Sequence, residues 1–296
     1  MAHFYTSQTY VDASTQLDKA CEWLKSLGVN YSVTRVGRYK TLFSSLAHYQ
    51  LANDLDRFFD EYKFEDWVNA THEVAELVRM YEGLNGQTDP SLVTRLRNSL
   101  KGHELFVLDN EDRSGRDFSL ELSTAAKFAR HGYEINFGHE ADLEVQIAEH
   151  TFYVECKRLK STRQVQKRIK HGLSQLHKRY VKSSKPAAAR GLLTLSIGKT
   201  INSELGLLEG IDPESLCNKA FAHNAAFIER YRSYWQEKVD QRTLGVAVVL
   251  DTPGMLKSEK RLVTCHEVTM NDCIPPGTKD YKLLLHVAAE VFSKRT

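Results

Sequence analysis

The chain has 296 residues, 42% of them hydrophobic, with 13 Phe, 13 Tyr and 3 Trp, ample material for a buried core and for two domains. No apolar run approaches the roughly 20 residues that span a bilayer, and the opening residues lack the basic-then-apolar order of a secretory signal, so a cytoplasmic protein with no membrane partner is expected. The net charge of +2 conceals an asymmetry: residues 1–150 hold 15 Lys and Arg against 24 Asp and Glu, a net −9, whereas 151–296 hold 25 against 14, a net +11. From 156 to 203 there are 13 Lys and Arg and no acid at all, which points to a polyanion-binding surface in the second half.

In chain order, segments near 13–26, 41–62, 65–83 and 90–100 carry apolar residues at helical spacing, for example Trp67, Val68, Val74, Leu77, Val78 and Tyr81. A short strand is predicted over 31–36. Gly83, Gly86 and the Asp89-Pro90 step punctuate the stretch. The polar segment 109–115 marks a boundary between a mostly helical accessory domain, 1–112, and a second domain, 113–296. There Ser114 can cap a helix to about Arg130, with an apolar stripe of Phe118, Leu122, Ala125 and Ala129, ended by Gly132. Strands follow at 133–137, 142–147 and 151–159, then a basic amphipathic helix over 162–182 with Val165, Ile169, Leu173, Leu176 and Tyr180 on one face. A strand at 192–197, a helix at 213–239, strands at 244–250 and 262–269 and an apolar segment at 283–292 complete an α/β pattern.

Chemistry concentrates on the third of these strands. Its side chains alternate, so Glu155 and Lys157 share a face about 6.6–7 Å apart, with Phe152, Val154 and Cys156 on the other. Asp142 starts the preceding strand, at a spacing that lets a hairpin bring the two carboxylates together. Two hard oxygen ligands converging in this way suit Mg²⁺ or Mn²⁺.

An Asp on one strand and Glu155-Cys156-Lys157 on the next resemble the PD-(D/E)XK nuclease superfamily over roughly residues 114–200, with Ala141 standing where the motif name has Pro. The resemblance implies a restriction-endonuclease-like mixed sheet flanked by helices. It implies a metal held by Asp142, Glu155, the Cys156 backbone carbonyl and Glu121, which lies on the preceding helix, with Lys157 as the catalytic lysine. The implied activity is metal-dependent phosphodiester hydrolysis, with DNA favoured over RNA; the alternative is a non-catalytic nucleic-acid-binding module on the same fold. Lys160, Arg163, Gln164, Gln166, Lys167, Arg168 and Lys170 then become candidate nucleic-acid contacts, and the basic helix beyond them adds Lys178, Arg179, Lys182 and Lys185. Homo-oligomerisation or a protein partner is left open to the acidic N-terminal domain.

Other patterns carry less. Glu61-Tyr62-Lys63 and Asp280-Tyr281-Lys282 match the core triplet without a second carboxylate on a preceding strand. Gly198-Lys199-Thr200 and Asp251-Thr252-Pro253-Gly254 resemble pieces of a P-loop GTPase, but Leu193 stands where the phosphate loop needs its first glycine, and 251–254 reads as a turn leaving a strand. His139, His171 and His177 read as surface or structural groups. The five cysteines, Cys21, Cys156, Cys217, Cys265 and Cys273, form no C-x-x-C pair, and Cys265-His266 with Cys273 offers too few ligands for zinc.

Overall fold

The computed structural model describes residues 3–5, 9–103, 115–137, 142–202, 206–237, 239–259 and 261–292. The anticipated boundary segment before Gly115, the Ser114 cap, His139 and Ala141 lie outside these residues. Among the described residues no helix is long and apolar enough to cross a membrane, and all five cysteines are free thiols.

After a short strand β1 (His3–Tyr5) come five helices: α1 (Tyr10–Ser26), α2 (Arg35–Leu51), α3 (Leu55–Glu61), α4 (Phe64–Leu84) and α5 (Pro90–Ser99). Local chemistry sets their starts. Thr9 and Thr34 each accept a backbone N–H of the first turn they precede, and Asp89 accepts from Ser91 and Leu92 with Pro90 at the first helical position. The strand expected over 31–36 is therefore corrected to a turn and the start of α2. Its β-branched residues mimic a strand, but the Thr34 hydroxyl serves as a helix cap and Val33 is 83% exposed. The single helix expected over 41–62 is two, because Asn53 adopts a left-handed φ of 55° that ends α2.

The second part runs α6 (Gly115–Arg130), β2 (Ile135–Asn136), β3 (Leu143–Ile147), β4 (His150–Arg158), a 3₁₀ turn (Thr162–Gln164), α7 (Val165–Lys182), β5 (Ala189–Ser196), α8 (Gly198–Ile201), β6 (Leu208–Gly210), α9 (Pro213–Tyr231), α10 (Ser233–Gln236), β7 (Thr243–Leu256), β8 (Arg261–Asp272), α11 (Lys279–Val287) and a π-helical turn (Ala288–Phe292). The protein is mixed α/β. Its sheet has the order β1-β8-β7-β5-β4-β3-β2, with β6 beside β7. β4, β5 and β7 are mutually parallel in the centre, and β2 with β3 and β8 with β1 add antiparallel edges. β7 continues through 251–254 as paired strand, which corrects the turn expected there. Pro253, which cannot donate to a ladder, falls between the stretch of β7 that pairs with β5, ending at Val249, and the stretch that pairs with β6, starting at Gly254.

Helices cover both faces of the sheet. On one, Val165, Ile169, Leu173, Leu176 and Tyr180 of α7 pack with residues of α9, Trp235 and Leu193, Leu195, Val246 and Val248, as the helical spacing predicts. On the other, Phe152, Val154 and Cys156 join one continuous cluster with α6 and the apolar faces of α1, α2, α4 and α5. α6 is buried more widely than its predicted stripe, through Ser119, Leu120, Ser123, Thr124, Ala126 and Phe128 as well as Leu122 and Ala125, because it lies between α4 and the sheet. The two helices touch backbone to backbone: a Cβ on Gly83 would stand 2.4 Å from the Ala126 carbonyl oxygen. Gly83→Ala is expected to lower stability by about 1–3 kcal/mol, read as a lower urea midpoint with an unchanged slope.

Candidate active site

The β3–β4 ladder pairs Leu143 with Val154, so one step further Asp142 stands opposite Glu155, as the hairpin predicts. The strand's two faces divide as expected: Phe152, Val154 and Cys156 enter the cluster under α6, while Tyr153 faces α7. Glu155, on the α7 face, is fully buried. The Cys156 N–H donates to Asp142 Oδ2 at 2.7 Å, which turns that carboxylate in over β4. Lys157 Nζ donates to the Cys156 carbonyl at 2.9 Å, to Glu155 Oε2 at 3.1 Å and to Asp142 Oδ2 at 3.4 Å. Three of the oxygens expected to bind metal thus converge on one cationic group. Gly172 lets α7 lie close over this lysine, since a Cβ there would meet Leu193 Cδ1 at 2.5 Å and Lys157 Cγ at 3.4 Å.

Two arginines join that sequence patterns did not single out for these roles. Arg179, expected on the phosphate-tracking face of α7, instead brings its Nε within 3.4 Å of Glu155 Oε1. Arg95, from α5, forms an ion pair with Glu121 and lies over the Phe137 ring. Burial, and next the charge of Asp142, push the Glu121 carboxyl up to about 8; the same two causes push Glu155 up to about 7. Burial works to lower the Lys157 ammonium, but Asp142 and Glu155 outweigh it and hold the group above its ordinary value. Burial followed by Asp142 and Glu121 likewise raises the Cys156 thiol. Glu121, Asp142, Glu155 and Lys157 therefore share one electrostatic neighbourhood, in which carboxylates outweigh the cation between them.

Glu155 Oε1 is buried without a hydrogen bond, facing the Arg179 guanidinium at 3.4 Å, and the Asp142 side chain is 20% exposed, so the cluster has a carboxylate oxygen held by charge alone and access to solvent. Two carboxylates and a backbone carbonyl, with the rest of the shell left to water, suit Mg²⁺, which binds through one or two carboxylates and keeps several waters. Among the described residues no three His, Cys, Asp or Glu side chains stand together as a complete metal cage. The fit rests on Asp142, Glu155 and the Cys156 carbonyl, with Glu121 held back by Arg95.

Along the chain beyond Lys157, Arg163, Gln164, Gln166, Lys167 and Lys170 are exposed and Arg168 is half-buried. Lys160 differs: its side chain is 7% exposed and lies 3.5 Å from Asp117 of α6, tying β4 to that helix. His171 is exposed on α7, with its imidazole pKa lowered by burial and then by Lys157 and Arg168. His177 bonds to Asp240. The two decoy triplets are elsewhere: Glu61 accepts from the Tyr49 hydroxyl, and Asp280 pairs with Arg190.

A second polar cluster, which sequence reasoning missed, lies on the opposite face of the sheet. Asp251 sits between Arg79 at 2.5 Å, His266 Nδ1 at 3.2 Å and His72 Nδ1 at 3.7 Å. Glu73 sits between Arg35 and Arg116 at 2.9 and 2.5 Å. Burial opposes the ionised form of both carboxylates, but the arginines hold them well below the ordinary range. Burial, then Glu73 and Asp251, push Glu76 up to about 7. Burial, then Lys127, pushes the His266 imidazole down to about 3.

For Glu121 and Glu155 the sign of the pH dependence follows directly. Both bind a proton more tightly folded than at the ordinary carboxyl value of 4.5, so their contribution to stability is full below that pH and is lost as pH rises through about 7 and 8. Thermal denaturation between pH 5 and 8.5 is expected to show Glu121→Gln losing less stability with rising pH than the parent chain; parallel curves would remove Glu121 from the cluster. No family model matches the chain, and neither a curated protein nor a solved structure is detectably similar to it.

Proposed function

We propose that the chain is a Mg²⁺-dependent nuclease of the PD-(D/E)XK type, with a restriction-endonuclease-like arrangement of its second part, acting on DNA. The observation that carries this reading is the convergence of Asp142 Oδ2, Glu155 Oε2 and the Cys156 carbonyl on the Lys157 ammonium within 2.9–3.4 Å. A buried lysine held between two carboxylates beside a solvent opening has more carboxylate around it than its own neutralisation requires, and phosphodiester hydrolysis uses such a surplus.

A bound divalent cation would supply Lewis acidity, lowering the pKa of water and neutralising charge on the phosphoryl group. The chain's own residues do the rest. Asp142 is pre-oriented by the Cys156 N–H and Glu155 by Lys157 and Arg179, so neither carboxylate must reorganise when a cation arrives. Lys157, released from part of its carboxylate contact, is placed to hold the attacking water and to donate to a phosphoryl oxygen. Glu121, steered by Arg95, stands within electrostatic reach of the same point. The exposed Arg163, Lys167 and Lys170, without acids nearby on their helix, would track the phosphate backbone and give salt-dependent binding. The N-terminal helices act as an accessory that supplies Arg95.

The test incubates circular and linear DNA and RNA with the chain in Mg²⁺, Mn²⁺ or EDTA. Cleavage is expected with either metal and none in EDTA, and Asp142→Ala or Lys157→Ala should lose about 10²–10⁴-fold of the rate. Activity surviving EDTA, or undiminished in the variants, rejects the assignment. Salt-sensitive binding without cleavage favours the non-catalytic binding module.

A further inference from the structure

A third carboxylate stands in the neighbourhood of Asp142 and Glu155 but is already engaged. Glu121, on α6, has a side chain only 12% exposed. The charges that act on it most strongly are Asp142 and, in the opposite sense, Arg95. Arg95 Nη1 donates to Glu121 Oε2. This arginine comes from α5 and is itself pinned. Its guanidinium lies 5.6 Å from the centre of the buried Phe137 ring. The helix that carries it is fixed by the Asp89 cap and by Leu92 and Leu96, both fully buried.

A guanidinium does not give up its charge in a folded protein, and it only donates. Arg95 therefore does for Glu121 what a cation bound there would do. The oxygens gathered at Lys157, Asp142 Oδ2, Glu155 Oε2 and the Cys156 carbonyl, suffice for one Mg²⁺ that keeps several waters. A two-metal site holds its ions roughly 3.5–4 Å apart, and the second ion needs oxygen ligands of its own. The carboxylate left for it is Glu121, which acts strongly on Asp142 and is acted on by it. To use it, a second ion must displace Arg95 and then remain beside a fixed positive charge.

Resting on the metal-dependent reading above, we propose that Arg95 is a positioning residue that limits the cluster to one divalent cation, by holding Glu121 and by supplying the positive charge a second ion would bring. Glu121 is then no ligand of the first ion. With Arg95 made neutral, Glu121 and Asp142 become the ligands of a second one. The helical first part of the chain thereby sets the metal content of a site whose other members all lie beyond residue 114.

Bound Mn²⁺ counted by electron paramagnetic resonance on the whole chain at pH 7.5 tests this. The parent chain is expected to bind one Mn²⁺, with no magnetic coupling to another. Arg95→Met, which keeps an unbranched apolar stem without the charge, should bind two that are coupled. Arg95→Lys, which keeps the charge, should bind one, and so should Arg95→Met combined with Glu121→Gln. Glu121→Gln alone should keep the single ion, whereas Asp142→Ala should lose it. Two coupled ions in the parent chain, two in Arg95→Lys or in the double variant, or loss of the ion in Glu121→Gln overturns the proposal, and none of these needs Arg95→Met to fold. One ion in both the parent and a folded Arg95→Met overturns the role of Arg95 and leaves the metal-dependent reading standing; no Mn²⁺ on the parent chain overturns both.

Discussion

Glu155 is a fully buried ionisable group on a central strand with helices over both faces. Burying such a charge is costly unless it is paired, and removing one partner of a buried pair typically costs about 3–5 kcal/mol. The fold answers with Lys157 on one side at 3.1 Å and Arg179 of α7 on the other at 3.4 Å. Much of the neighbouring architecture follows from that pairing. Gly172 must lack a side chain so that α7 can close over the lysine, Arg179 must turn inward at the cost of its place on the exposed basic face, and Asp142 must reach over β4 to complete the cluster.

The N-terminal helices are bound to this arrangement by charge as well as by apolar contact. Arg95 holds Glu121, Arg79 holds Asp251, and Arg35 shares Glu73 with Arg116 of α6. Each of these pairs joins a helix of the first hundred residues to α6 or to the sheet, or is completed by α6. Of these pairs only Arg79–Asp251 joins the acidic half, 1–150, to the basic half, 151–296; the others lie within the first half.

α6 and β4 serve both polar clusters. α6 offers Glu121 toward the carboxylate cluster and Lys127 to a cavity beside Asp251 and His266 on the other face; β4 offers Glu155 and Lys157 to one face and Arg158 to the other. Alternation along a strand places the two polar clusters on opposite faces of the sheet within a single residue of one another.

What the sequence by itself determined was whatever depends on periodicity and near neighbours. The alternation from Phe152 to Lys157, the buried stripe of α7 and the hairpin that sets Asp142 opposite Glu155 are all local patterns with one physical solution once a face is buried. Local patterns also misled: Tyr31 to Val36 has strand-like residues, yet one hydroxyl, Thr34, decides for a helix, and Asp251-Thr252-Pro253-Gly254 has turn-like residues, yet β8 pairs with all four and keeps β7 extended. The three-residue strands β1 and β6 are too short to show a period at all. Only the tertiary structure decided that Arg95 steers Glu121, that Arg179 faces Glu155, and that Lys127, Arg158, Lys199, Asp251 and His266 surround one cavity. These residues come from five or more elements far apart in the chain, and the cost of leaving a buried charge alone, which no short window of sequence contains, brings them together.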